Sequence, residues 1–146
     1  EYFDDKNKIL CINSLSSILK AVLPENLSSE KIYKSLENLL KSLKNNDWLT
    51  NYLVWEINLI NYLGFGFNID NKNFSDKNYK KIYDIKLDNI NYKIPGFLVF
   101  KNYSNPDNND IYNGLNFSRT LMENKFFIPN NINFPYSRKL LEKNFL

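Results

Sequence analysis

Histidine is absent from this sequence, and cysteine occurs once, as Cys11. Each absence removes a class of chemistry. Without histidine, the commonest general base and the commonest metal ligand are both missing. A lone cysteine can form neither an intrachain disulfide nor a thiolate cage for a metal. Cys11 stands among Ile9, Leu10 and Ile12, a setting that predicts a small buried hydrophobe rather than a nucleophile. The expectation is a binding domain and not an enzyme, with no cofactor and no metal. No run of about eighteen apolar residues occurs, so no membrane span is expected. Nothing at the start reads as a signal peptide, and a first residue of Glu1 suggests a domain of a longer protein. Scarce cysteine is compatible with the cytoplasm.

What is present is the material of a packed fold. Of 146 residues, 43% are hydrophobic and 24% charged, near globular norms and unlike a disordered chain. Eleven Phe, ten Tyr and two Trp supply large areas to bury. The net charge of +3 is weakly basic and is poor evidence for nucleic acid on its own. The cations are nearly all lysines, Arg119 and Arg138 being the only arginines. Abundant Asn, Lys, Ile, Tyr and Phe together suggest a nucleotide-composition bias, so lysine clusters are discounted.

Apolar spacing predicts a helix over 13–23 through Leu15, Ile18, Leu19, Val22 and Leu23, capped by Asn13 or Ser14 and closed by Pro24. A second follows over 29–44, with Ile32, Leu36, Leu39, Leu40 and Leu43 inward, Ser28 as cap, Glu30 at the positive end, and Lys34, Lys41 and Lys44 outward. The third, 47–63, is capped by Asp47 and ended by Gly64, and apolar residues wrap most of it. It therefore reads as central. Glu56 sits inside it and needs a partner; an ion pair with a cation from another helix is the expected one. Residues 68–80 read as loop, and 81–87 with 90–94 as a hairpin turning at Asp88–Asn89. Pro95 and Gly96 break the pattern before the apolar run Phe97–Phe100, and 102–109 is a further loop. A helix from Asp110 carries Ile111, Leu115, Ser118, Leu121 and Met122; the last begins after Phe134–Pro135, with Leu140, Leu141, Phe145 and Leu146 on its apolar side. The fold class is mainly α: a helical bundle of about five helices with a small irregular β-hairpin appendage.

The stretch from Trp48 to Asp70 carries a family resemblance. Trp55–Glu56 precedes apolar turns that end in Leu63–Gly64–Phe65–Gly66–Phe67, then Ile69 and Asp70. This resembles the central helix of RecO proteins and its L-G-[FY]-G-hydrophobic-x-[LI]-D ending. Other elements resemble the family in the same order. They are the helix pair joined by Leu23–Pro24–Glu25, the "P-x-F-L" segment at Pro95–Leu98, the "FLE" helix end at Leu121–Met122–Glu123, and the "L-P-x-[AS]-R" element at Phe134–Arg138. RecO proteins usually begin with an OB-fold, a single-strand-binding barrel. No such pattern is present here, and 1–12 is expected at most to be the tail of a missing upstream domain. Many relatives also carry a four-cysteine zinc module where this chain has Lys72–Lys93, which lacks both Cys and His. Zinc does not fit, and 68–94 is expected to be a loop and hairpin in its place within a single domain, 1–146.

The resemblance implies a recombination mediator acting in DNA repair in the bacterial cytosol or nucleoid, assisting recombinase loading. Implied partners are the acidic, hydrophobic-ended tail of the single-stranded-DNA-binding protein, a RecR-type protein and, weakly, single-stranded DNA. Such a tail needs an apolar pocket rimmed by cations. Arg119, Lys125, Arg138, Lys139 and Lys143 are the candidate rim. The plainer reading is internal pairing at helical spacing, Arg119 with Glu123 and Arg138 with Glu142. Two other functions stand beside the mediator. One is a helical interaction scaffold unrelated to DNA. The other is an enzyme built on Glu56 and a buried lysine, which requires a polar cavity beside Glu56.

Overall fold

The computed structural model describes residues 2–23, 29–65, 69 and 74–146, with backbone alone at 2 and 3. Six α-helices and one antiparallel hairpin make up these residues. Helix α1 spans Tyr2–Val22 and takes in residues 2–12, expected as the tail of a preceding unit. The apolar pattern alone hid this. The buried stripe of α1 runs Asn7, Cys11, Ser14, Leu15, Ile18 and Val22, helical in spacing but polar at two positions. Asn7 is accommodated because its side-chain oxygen accepts from Asn144 Nδ2 at 2.8 Å, where α1 lies along α6 (Tyr136–Lys143).

Helix α2 (Glu30–Ser42) is capped by Ser29, whose hydroxyl accepts from Ile32 N, rather than by Ser28, which lies outside the described residues along with Pro24. Its face matches expectation except at Leu40, which is exposed. Helix α3 (Trp48–Tyr62) packs against both α2 and α5 (Asn108–Met122) and is the axis of the core. Both its indoles are satisfied from other helices: Trp48 Nε1 donates to Asp4 of α1 and Trp55 Nε1 to Ser35 of α2. Asp47 stands at the N-cap, but its carboxylate accepts from Asn51 Nδ2 instead of capping the backbone. Gly64 follows at φ +87°, the left-handed conformation that closes a helix.

The expected hairpin is a regular ladder. Strand β1 (Ile82–Leu87) pairs with β2 (Ile90–Pro95) from Ile82 opposite Pro95 to Leu87 opposite Ile90. Asp88 and Asn89 both take positive φ, at 50° and 65°, as a two-residue hairpin turn of the primed type requires. One face of the hairpin belongs to the core, since Tyr83, Tyr92 and Ile94 are buried. Tyr92 meets Phe117 edge to face with centroids 6.0 Å apart, and its hydroxyl accepts from Asn124 Nδ2. Packing of this kind ties the hairpin to the core. Pro95 then caps the short α4 (Gly96–Val99), which is wholly buried.

Helix α5 (Asn108–Met122) starts two residues before Asp110 with a reciprocal capping box between Asp107 and Asp110. Lys80 anchors the preceding loop on that cap through Asp110 at 2.6 Å. Beyond Met122 the chain widens into a π-turn, Glu123–Phe127, before Pro129 ends it. Pro135 serves as the N-cap of α6. Leu141 and Phe145 are buried as expected, whereas Leu146 is 85% exposed.

Candidate partner-binding site

The charges of α3, α5 and α6 converge on one network. Glu56 and Arg138 are each 0% exposed. Arg138 Nε donates to Glu56 Oε2 at 2.6 Å and Nη2 to Oε1 at 2.9 Å, a two-pronged pair that suits the planar guanidinium. Remaining valences are filled: Ser118 Oγ donates to Glu56 Oε1, and Arg138 Nη2 also donates to the Leu115 carbonyl. Burial by itself would weaken the Arg138 proton, but the charge and hydrogen bonds of Glu56 overcome it and hold the pKa above its ordinary value. A buried pair of this quality stabilises little net relative to an apolar pair, yet it leaves each partner dependent on the other.

Two neighbours from other elements feel the same pair. Burial first, and the Glu56 charge second, raise the Cys11 thiol far above its usual range, so it stays protonated and unreactive. The Tyr52 phenol is raised for the same two reasons, and its hydroxyl has no hydrogen-bond partner of normal geometry among the described residues. The polar cavity that a catalytic Glu56 would require is absent among the described residues, because the carboxylate is sealed and paired with Arg138 and Ser118. The Glu56–lysine catalytic reading falls with it.

Glu142 carries the network outward. Its Oε2 accepts from Arg138 Nη1 at 3.4 Å and from Arg119 Nε at 2.8 Å, and its Oε1 from Asn116 Nδ2 at 3.2 Å. Arg119 Nη1 in turn donates to Glu123 at 2.6 Å. Here the chain opens a shallow cleft between α5 and α6. Tyr112, Arg119 and Glu123 line it from the α5 side; Lys139, Glu142, Lys143 and Leu146 line it from the other. Spacings of seven and then four residues place 112, 119 and 123 on one stripe. Lys139 and Lys143 are exposed and have no ion pair among the described residues.

The five candidate rim residues therefore divide. Arg119, Lys139 and Lys143 share the cleft. Arg138 does not belong to any rim: with no exposed surface it cannot touch a partner, and its role is to neutralise Glu56. Lys125 is drawn away by the π-turn to pair with Asp88 on the hairpin. The internal pairs Arg119–Glu123 and Arg138–Glu142 both form, and Glu56 finds its cation on another helix. Sequence reasoning missed Glu142 as the hub and Ser118 as the third group on Glu56. The available signal was the scarcity of arginine, since a buried bidentate partner for Glu56 had to be Arg119 or Arg138.

Two other clefts contrast with this one. The groove between α2 and α3 is walled by Asn38, Ser42, Asn51, Asn58, Trp55 and Tyr62, and among the described residues no charged side chain lines it. The cleft under α3, β2 and α4 is lined mostly by apolar residues, with Lys101 as its one charged wall among the described residues.

No helix among the described residues is long and apolar enough to cross a membrane. Comparison with known proteins places the fold in context. The family model "Recombination protein O C terminal" matches residues 4–113. The DNA repair protein RecO of Wolbachia pipientis subsp. Culex pipiens (strain wPip) is 37% identical over 70 residues, covering 47% of this chain and 29% of that protein. RecO of Ehrlichia chaffeensis is likewise 37% identical over 70 residues, and RecO of Anaplasma marginale (strain Florida) 29% over 69, with the same coverage. The match thus spans less than a third of each relative's length. No solved structure matches the chain at a significant level. The matched span includes Glu56 and the hairpin but ends inside α5, so Arg119 and the whole of α6 lie beyond it. With three quarters of its length under the family model, the chain belongs to the recombination protein O C-terminal family.

Proposed function

We propose that this chain is the helical partner-binding domain of a RecO-type mediator acting in DNA repair and recombination. In this reading its α5–α6 cleft receives the acidic, apolar-ended tail of the single-stranded-DNA-binding protein. One observation carries the assignment: three cations, Arg119, Lys139 and Lys143, line one cleft together with Tyr112 and the exposed Leu146. Cations pair with the acidic run, while Tyr112 and Leu146 offer apolar surface to the end of the tail. The neutral α2–α3 groove offers no such complementarity. Contacts with a RecR-type protein, weak association with single-stranded DNA and help in recombinase loading complete the reading. Nothing in it calls for catalysis, in keeping with the absence of histidine.

A titration tests it. The chain is expected to bind a synthetic aspartate-rich peptide ending in phenylalanine with a free carboxylate, and to bind it more weakly as salt rises. Lys139→Glu with Lys143→Glu should weaken binding by about tenfold or more, through two charge reversals on the rim. Both side chains are exposed, so the fold should be unchanged by circular dichroism. Absence of binding at low salt removes the proposal and leaves the helical scaffold unrelated to DNA.

A further inference from the structure

We propose that Glu123 is a displaceable internal ligand that occupies Arg119 in the free chain and sets how strongly the cleft takes a partner's carboxylate. The inference rests on the reading of the cleft above and adds the residue that controls it.

Arg119 is held by two carboxylates of different standing. Glu142 is 7% exposed in its side chain and is fixed from three directions, by Arg119, Arg138 and Asn116. Nearly enclosed and held by three donors, it does not exchange. Glu123 is 25% exposed and, among the described residues, its carboxylate makes one hydrogen bond, to Arg119 Nη1 at 2.6 Å. The Arg119 side chain that it meets is itself 28% exposed. A partner's carboxylate arriving there meets the same donor in the same charge-assisted geometry that Glu123 already uses. The exchange is therefore one carboxylate for another, and affinity reflects the difference between them.

The backbone at Glu123 is secured independently of its carboxylate. Glu123 is the first residue of the π-turn, where Ile128 N donates to the Glu123 carbonyl at 2.9 Å. The main chain at Glu123 is thus held by its own hydrogen bond and does not depend on the side chain. Among the described residues, Lys139 and Lys143 have no ion pair, so Arg119 is the one cation of the cleft already neutralised there, and Glu123 is the more exposed of its two carboxylates.

The test compares the wild-type chain with Glu123→Gln and Glu37→Gln, titrating each with the aspartate-rich, phenylalanine-ended peptide. Glu37 is an exposed carboxylate on α2, paired with Lys41, and controls for the change in net charge. The inference expects Glu123→Gln to bind about three- to fivefold more tightly, the scale of one partly exposed ion pair, with Glu37→Gln unchanged. Equal affinity for wild type and Glu123→Gln, or an equal gain in Glu37→Gln, overturns the inference and leaves the cleft assignment standing. Failure of all three chains to bind overturns the cleft assignment itself.

Discussion

Replacing Arg138 with methionine is expected to destabilise the chain by about 3–5 kcal/mol in urea unfolding, a large part of the total for a domain of this size. The loss comes from what is left behind and not from a missing attraction. Glu56 would be left in a sealed site with Ser118 as its remaining donor, and the Leu115 carbonyl would lose its side-chain partner. Methionine fills most of the volume, so cavity formation adds little. The partner change separates the two causes. With Glu56→Met added to Arg138→Met, more than half of the lost stability should return, giving a coupling of about 2 kcal/mol or more between the positions. A single variant within about 1 kcal/mol of wild type would show that the pair is not the keystone of the helical body.

The second large effect is expected at Gly96, where α4 begins. A Cβ built there meets the Asn78 carbonyl oxygen at 2.1 Å and the Lys81 carbonyl oxygen at 3.1 Å. Gly96 N also donates to that Lys81 carbonyl at 2.7 Å, so the loop before β1 is clasped against the residue. Both clashing atoms are backbone and cannot rotate aside. Gly96→Ala should cost about 2–3 kcal/mol, lowering the unfolding midpoint by roughly 8 °C. Gly64 provides the contrast. No atom of the described residues lies within 4 Å of its added Cβ, so Gly64→Ala bears the left-handed backbone, roughly 1–2 kcal/mol. If the two alanine variants melt together, close approach of the loop is not what Gly96 provides.

Much of this architecture could be read from residue order, and its gaps have physical causes. The helical spacing of Leu36, Leu39 and Leu43, the aromatic wrap of α3 and the Asp88–Asn89 turn each state a local preference that the fold obeys. Helix α1 was half missed because its buried stripe uses Asn7, Cys11 and Ser14, satisfied by partners far along the chain or by its own backbone. Leu40 and Leu146 were assigned inward by type and lie outward by geometry. The site shows the same limit more sharply. Pairs at helical spacing, Arg119–Glu123 and Arg138–Glu142, were legible. The pair joining residues 56 and 138 crosses 82 positions, and no local rule selects Arg138 over Arg119 for it. Once Arg138 is committed inward, Arg119 is the arginine left for the surface.

The proposed function depends on where an acidic, apolar-ended tail sits on the chain. Amide NMR of the isotope-labelled chain during the peptide titration locates it directly. The largest shifts are expected at Tyr112, Arg119, Lys139 and Lys143 of the α5–α6 cleft. Shifts centred instead on Asn51, Val54 and Asn58 beside α2, or no shifts at low salt, would contradict the assignment.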